Sequence, residues 1–354
     1  MTSSMQRTTL SDRGPGVPEI IFGTSALGNL YQILSYDEKL AIAREWFSTV
    51  DTPVALDSAG KYGAGLALEM MGKTLQDMAI PPKAVSISNK LGWKRVPLQG
   101  PEPTFEQGVW FGLENDAKQD FSRRGIVECW EQGNELLAPY EARVVSCHDP
   151  DEYLAAAATE ADRERRFEDI LESYQALFEL KQKGYVDAVG VGAKDWSIIS
   201  RLSSELKLDW AMFACSYTIY RHPAELRRFM RDLQSRGTVI INSALFHAGF
   251  LTGGEFFDYR RPDPETDEEL FTWRSRFFEL CKTHEVKPAE VCIEFGLRPP
   301  AISAVALNTA KASRVAQNVA AVLSRAPEAF WEDLLKLGMI EVLPTQAWPE
   351  AGEV

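Results

Sequence analysis

The sequence predicts a (β/α)8 barrel with long loops at its C-terminal mouth. Short β-branched runs alternate with longer amphipathic segments through most of the 354 residues, the alternation of a parallel sheet wrapped by helices. Eight such runs occur, most followed by a helical pattern. A doubly wound sheet is the alternative, but it usually places a Gly-rich nucleotide loop after its first strand. Here that position reads FGTSALGN, 22–29.

The first strand is expected at EIIFGTS, 19–25. A helix over 35–47 follows, with Ser35 and Glu38 as a capping box and Leu40, Ala43 and Phe47 at helical spacing. VALDS, 54–58, is the second strand, and its apolar run closes on Asp57 with Tyr62 in the next loop. AVSISNK, 84–90, and RVVSCHD, 143–149, are the third and fourth, ending near Lys90 and His148. Between them, residues 93–121 are rich in Pro, Gly and aromatics. Loops of this length in compact domains are lids or binding loops, or else disordered. The helix over 167–184 repeats Phe167, Ile170, Leu171, Tyr174 and Leu177 on one face and stops at Gly184. VDAVGVGA, WAMFACSY, TVIINSA and ISAVALN supply strands five to eight, with a second long segment at 249–267. PEAFWEDLLKLG, 327–338, reads as an extra C-terminal helix. Residues 1–18 are expected as a polar segment, 19–340 as one barrel domain and 341–354 as a tail.

The net charge of −13 argues against nonspecific binding to nucleic acid or an anionic membrane. Any anionic ligand must meet a local basic site. Cys129, Cys147, Cys215, Cys281 and Cys292 are odd in number and form no CxxC pair, which reads as reduced thiols in a cytoplasmic protein. The start lacks the apolar core of a secretory signal, and no run reaches the roughly 18 apolar residues of a membrane span.

Asp57, Tyr62, Lys90 and His148 lie at or just beyond the C-terminal ends of three consecutive strands, where barrel enzymes keep their chemistry. An acid, a phenol, an amine and an imidazole on one rim suit proton transfer at a carbonyl. Free tyrosine titrates near about 10, too high for efficient acid–base work at neutral pH. An adjacent ammonium favours the phenolate. A shift of ~3 units is about 4 kcal/mol, which one charge at ~4 Å supplies in an effective dielectric of ~20. Taken singly, Asp57 and Lys90 also read as a structural ion pair, His148 as a turn residue and Tyr62 as a rim aromatic. Lys90 at a strand end would also allow Schiff-base chemistry. No histidine pair has metal spacing, so no metal centre is expected; GxSxG and P-loop motifs are absent. GVGAKD, 190–195, lacks the third glycine of a dinucleotide fingerprint.

These motifs, with SNKLG, CHDP, GYVDAVGVGA, NSALFHAGFLTGG and NVAAV in order, resemble the aldo-keto reductase family over nearly the whole chain. HDPDEY, DFSRRGI and INSALF are most similar to the branch containing D-threo-aldose 1-dehydrogenase (L-fucose dehydrogenase) and pyridoxal 4-dehydrogenase. The resemblance implies a barrel holding NAD or NADP across its mouth and a tetrad of Asp57, Tyr62, Lys90 and His148, with Tyr62 as general acid/base. It implies cofactor contacts from Gly23, Thr24, Ser25 and Asp57, from Ala193 and Lys194, and from Asn242, Ser243 and Leu245. Asn308, Thr309, Arg314, Gln317 and Asn318 complete that set. Tyr62 and His148 would meet the substrate, with Trp93 and Trp110 from the long loop. Three positions depart from the family pattern: Gly192-Ala193 stand where Ser-Asn often grips the carboxamide, Asn242 where an aromatic stacks, and Asn308 where a lysine meets the 2′-phosphate of NADP. The implied activity is NAD(P)-dependent oxidoreduction of an aldose sugar or aldehyde. A cofactor-binding protein of regulatory or weak activity is the alternative, and the oligomeric state is left open.

Overall fold

Parallel strands buried on both faces need apolar residues throughout, and the β-branched runs supply them. In the computed structural model, which describes residues 19–258 and 260–344, ten strands form. They are β1 (Ile20–Gly23), β2 (Val54–Ala59), β3 (Val85–Leu91), β4 (Trp93–Pro97), β5 (Asn115–Gln119), β6 (Val144–His148), β7 (Ala188–Ala193), β8 (Trp210–Ala214), β9 (Val239–Ser243) and β10 (Ala304–Leu307). Eight of them close a barrel in the order β1-β10-β9-β8-β7-β6-β3-β2, while β4 and β5 pair separately. Every strand expected from the sequence is present.

The helices are α1 (Tyr36–Thr49), α2 (Leu66–Asp77), α3 (Arg123–Leu137), α4 (Pro150–Ala155), α5 (Glu160–Gln182) and α6 (Trp196–Glu205). They continue with α7 (Ala224–Ser235), α8 (Glu268–Thr283), α9 (Pro288–Leu297), α10 (Ala312–Leu323) and α11 (Glu328–Lys336). The last is the extra helix expected near the C-terminus. Among the described residues, no helix is long and apolar enough to cross a membrane. The expected N-terminal segment, 1–18, and the tail from 345 onward lie outside the described residues.

The chain divides into two compact units. The first comprises Ile21–Met212 and Asn308–Ala316, and its parallel register positions the polar rim. Asp57 lies opposite Gly23 on one side and Ser88 on the other; Lys90 lies between Ala59 and Ser146; His148 pairs with Gly192. Side chains alternate along a strand, so Ser88 and Lys90 share a face, and the register brings Asp57 onto it. The second unit contains Phe213–Leu307 and the residues from Gln317 onward. There β9 and β10 pair through Ile241–Ser243 and Ala304–Ala306, and Phe295 of α9 stacks on Tyr217 at 5.3 Å.

Three local expectations change. The capping box of Ser35 and Glu38 forms, but α1 buries Ile42, Ala43 and Trp46 rather than Leu40, Ala43 and Phe47. A helix repeat of 3.6 residues lets either stripe satisfy the pattern, and the larger indole takes the core. Helix α5 starts at Glu160, capped by Thr159, well before the first apolar residue of its stripe. Residues 93–121 are not an irregular loop throughout. They contain the antiparallel pair β4–β5, with Trp93 opposite Gln119 and Pro97 opposite Asn115.

The turn after β2 is tightly packed. Gly63 has φ +60°, and a Cβ there would lie 2.3 Å from the Gly28 carbonyl oxygen. Only glycine meets both demands. Gly63→Ala is therefore expected to lower the unfolding free energy by about 1–3 kcal/mol, read from the denaturant midpoint.

Candidate active site

At the floor of the rim the Lys90 ammonium donates to Asp57 Oδ2 and to the Ser58 carbonyl at 3.3 Å. The Ser88 hydroxyl donates to Asp57 Oδ1 at 2.6 Å. Both charged residues are only 3% exposed. Burying two charges is tolerable only when they face each other and the remaining lone pairs are bonded, and both conditions hold. Thr24 reinforces the arrangement: its N–H and its hydroxyl both bond to the Asp57 carbonyl at 3.0 Å. A Cβ on Gly192 would lie 3.1 Å from Lys90 Cδ, so the glycine opens the channel that the lysine stem occupies.

Tyr62 is held above this pair. Lys90 Nζ lies 4.8 Å from the centre of its ring, and the His148 ring meets it edge-on at 5.4 Å. The structure corrects the expectation of an acidified phenol. Burial pushes the Tyr62 pKa well above its ordinary value, and the Asp57, Asp149 and Glu106 carboxylates push the same way. The Lys194 ammonium pulls the other way without offsetting them. His148 moves oppositely. Burial holds its pKa well below the usual histidine range, with the Lys90 and Lys61 ammoniums adding to the effect. The result is a protonated phenol beside a neutral imidazole whose Nδ1 is buried and, among the described residues, without a hydrogen-bond partner. The Lys90 ammonium is buried against the Asp57 carboxylate and the Ser58 carbonyl, which does not favour a Schiff-base role.

The residue that sequence reasoning passed over is Lys61. It is 2% exposed, and its ammonium meets Glu152 at 2.6 Å, Glu106 at 2.8 Å and Asp149 at 3.4 Å. Burial works against its charge, but Asp149, Glu106 and Glu152 together raise its pKa. Lys194 joins the cluster through Glu152 at 2.6 Å and Asp149 at 3.7 Å. Asp149 and Glu152 lie 88 and 91 residues along the chain from Lys61, so no spacing pattern reveals the cluster. Ser88 had a usable signal, two positions before Lys90 on one strand face.

The network ties the 93–121 segment to the rim. Glu106 accepts from Trp110 Nε1 at 2.7 Å, and the Trp110 ring lies 5.8 Å from that of Tyr62. Trp93 is half-buried with the Lys61 ammonium 5.0 Å from its ring centre. Phe105, Val109 and Ala117 pack with Trp110 in a buried cluster that Tyr62 and Trp93 flank.

Residues implied as cofactor contacts fall into distinct environments. Gly23 ends β1, Ser25 is half-buried at the start of the 3-10 turn Ser25–Gly28, and Ala193 is buried at the end of β7. Asn308 is exposed past β10, with its Oδ1 accepting from the Ala26 N–H at 3.5 Å. Thr309 Oγ1 accepts from the Lys311 N–H at 3.2 Å. Arg314 and Gln317 are exposed and Asn318 half-buried on α10. Among the described residues Arg314 makes no ion pair. In the second unit Leu245 is buried, and Ser243 Oγ donates to the Phe213 carbonyl at 3.3 Å. Asn242 has its amide nitrogen engaged and its Oδ1 without a partner among the described residues. It is fully buried, and its amide donates to the Tyr217 carbonyl at 2.9 Å and the Gly296 carbonyl at 3.0 Å, so its side chain is bound into the wall.

The sequence profile of the aldo/keto reductase family matches residues 19–337. The chain belongs to the aldo/keto reductase family. It is similar to pyridoxal 4-dehydrogenase of Microbacterium luteolum, 26% identical over 351 residues that cover 95% of this chain and 98% of that protein. D-threo-aldose 1-dehydrogenase of a Pseudomonas species is 24% identical, over 92% of this chain and 96% of its own. L-galactose dehydrogenase of Arabidopsis thaliana is 22% identical, over 90% and 89%. Among solved structures, the glycerol dehydrogenase of Gluconobacter oxydans superposes with a TM-score of 0.66 at 16% identity, covering 94% of this chain and 98% of that one. An aldo-keto reductase of Bacillus halodurans in its holo form reaches 0.64 at 20% identity, covering 93% and 94%. These two likenesses bear on the fold. Family membership makes the chain an oxidoreductase, in a family whose members generally use NAD or NADP.

Lys61→Met removes one partner of a buried network and leaves three carboxylates facing one another. The expected loss is about 3 kcal/mol, the low end for a broken buried pair, because Lys194 still faces two of them. Since the folded pKa of Lys61 is raised, its contribution is complete below the unfolded lysine value of about 10.4 and disappears as pH climbs through the folded value. Urea unfolding of both proteins at neutral pH checks the loss.

Proposed function

We propose that the protein transfers a hydride between the nicotinamide C4 of NAD or NADP and the carbonyl or hemiacetal carbon of an aldose sugar or aldehyde. The observation that carries this reading is the convergence of Tyr62, His148 and the buried Lys90–Asp57 pair on one rim. The names of the relatives, which specify pyridoxal, D-threo-aldose and L-galactose, support an aldehyde or sugar substrate.

The residues present fit a nicotinamide dinucleotide. Arg314 is an exposed cation near the start of α10, and Asn308 and Gln317 offer exposed amides beside it. On our reading Asn308, Thr309 and Arg314 meet the adenosine end and Gly23, Thr24, Ser25 and Ala193 line the remainder in the first unit; Gln317, Asn318, Ser243 and Leu245 of the second unit are contacts that the family resemblance implies. Lys194 is already paired with Glu152 and Asp149, so it is not offered to a phosphate. When bound, the nicotinamide supplies or accepts the hydride.

The proton belongs to Tyr62. Its resting phenol is kept protonated, ready to donate to a carbonyl oxygen as negative charge develops there. As that proton leaves, the Lys90 ammonium beside the ring favours the phenolate, and Asp57 keeps the ammonium in place. His148, neutral and with a ring nitrogen unpartnered among the described residues, orients the substrate oxygen. Trp110, close to Tyr62 and fixed by Glu106, offers an aromatic face to the apolar side of a sugar or pyridine ring, with Trp93 farther out.

Tyr62→Phe is expected to lower kcat by roughly 10²–10⁴-fold while cofactor binding persists. Absorbance at 340 nm with both cofactors, against a panel of aldoses and aldehydes, provides the assay. A variant with wild-type kcat would refute the tetrad reading. Stoichiometric cofactor binding by the wild type without turnover of any panel member would instead select the regulatory alternative.

On the same reading NADP is not strongly preferred over NAD, since of the two positions where the family usually supplies a cation, Asn308 offers an amide and Arg314 keeps a charge. Charge-assisted hydrogen bonds contribute about 1.5–3 kcal/mol, so Asn308→Lys should improve NADP relative to NAD by about tenfold or more in kcat/KM. A wild type already favouring NADP about a hundredfold, some 2.7 kcal/mol, would overturn it.

A further inference from the structure

We propose that Cys215, His247 and Asp258 form a site for one divalent cation of the zinc class, and that this ion pins the 249–267 segment beside the ends of β8 and β9. The proposal is independent of the hydride-transfer reading. Its donors come from three separate stretches, which is why no ligand spacing in the sequence announced a metal centre.

One thiol, one imidazole and one carboxylate place donor atoms within 4.8 Å of one another. Cys215 follows β8 directly, His247 lies four residues beyond β9, and Asp258 belongs to the long segment. His247 is fully buried and Cys215 nearly so, while the Asp258 side chain is 24% exposed. This mixture of soft, borderline and hard ligands is characteristic of zinc, and three protein ligands leave a fourth position for water. Asp258 is the partly exposed member, so water reaches the site from its side.

A second observation is independent of the donor chemistry. All three residues have left-handed backbone, with φ of +57° at Cys215, +47° at His247 and +45° at Asp258. That conformation suits glycine and strains residues with a Cβ, and such strain collects where function requires it. The donor atoms of the three side chains nevertheless converge to within 4.8 Å.

The surroundings suit the imidazole as a ligand. Nδ1 lies 2.8 Å from Asp258 Oδ1, and Nε2 lies 2.8 Å from the Thr218 hydroxyl. Metal-binding histidines commonly hold their second nitrogen in this way. Phe257 stacks on the ring at 4.6 Å with planes 7° apart, which fixes its orientation. The Cys215 thiol hydrogen-bonds to the Asp258 carboxylate, and Arg221 stands 4.0 Å from the other carboxylate oxygen. In the ion-free site the imidazole donates from Nδ1 to the Asp258 carboxylate; on binding, the thiol proton goes to solvent and the imidazole proton is exchanged through solvent from Nδ1 to Nε2, facing Thr218. Sulfur, Nδ1 and Oδ1 are then free to ligate.

The test is titration of chelator-stripped full-length protein with cobalt(II), followed by zinc. We expect one equivalent of cobalt to bind with a near-ultraviolet thiolate-to-metal absorption band that zinc abolishes. Cys215→Ser should lose the band, and Thr218→Val should weaken cobalt binding by roughly 10–100-fold. Absence of binding in the wild type, or a band that survives in Cys215→Ser, overturns the site and leaves a hydrogen-bonded cluster without an ion. Should Cys215→Ser fail to fold, Asp258→Asn on the partly exposed segment decides: weakened cobalt binding supports the site, and unchanged affinity overturns it.

Discussion

A charge pair buried between two strands controls the rim. Lys90 and Asp57 have left water almost completely, and each is tolerable only in the presence of the other. That requirement fixes more than two side chains. It sets the register of β2 against β3, because a one-residue slip would turn Lys90 and Asp57 to opposite faces. It also accounts for Ser88, which bonds the second carboxylate oxygen, and for Thr24, which anchors the strand end at the Asp57 carbonyl. Gly192 fits the same logic, since the lysine stem passes where a Cβ would sit.

Around this pair stands a second set of charges with a different task. Lys61 and Lys194 hold Glu106, Asp149 and Glu152, and through Glu106 they fasten the aromatic part of 93–121 beside Tyr62. The acidic members of the cluster also help to keep the Tyr62 proton in place, while the ammoniums help to keep His148 neutral. One network therefore pushes the two titrating groups of the rim in opposite directions. Pairs of this kind divide acid and base roles within one site.

The barrel and the placing of four polar residues at its rim were legible in the sequence for physical reasons. Strands buried on both faces must be apolar and β-branched, so each of the eight left its mark, and polar residues ending such runs fall at the mouth by topology alone. Asp57, Lys90 and His148 were found in this way, and Tyr62 by lying one turn beyond. Tertiary structure decided what depends on partners distant in sequence. The phase of α1 was settled by which aromatic fits the core, Trp46 or Phe47. The engagement of Asn242 was settled by the carbonyls of Tyr217 and Gly296, far along the chain. The burial of Lys61 was settled by carboxylates from two other segments, and the direction of the Tyr62 pKa by the balance of charge about it. Residue types and their periodicity determine which element forms and which end of it is polar. Proton affinity and charge burial are sums over neighbours in space, and only the folded chain supplies those neighbours.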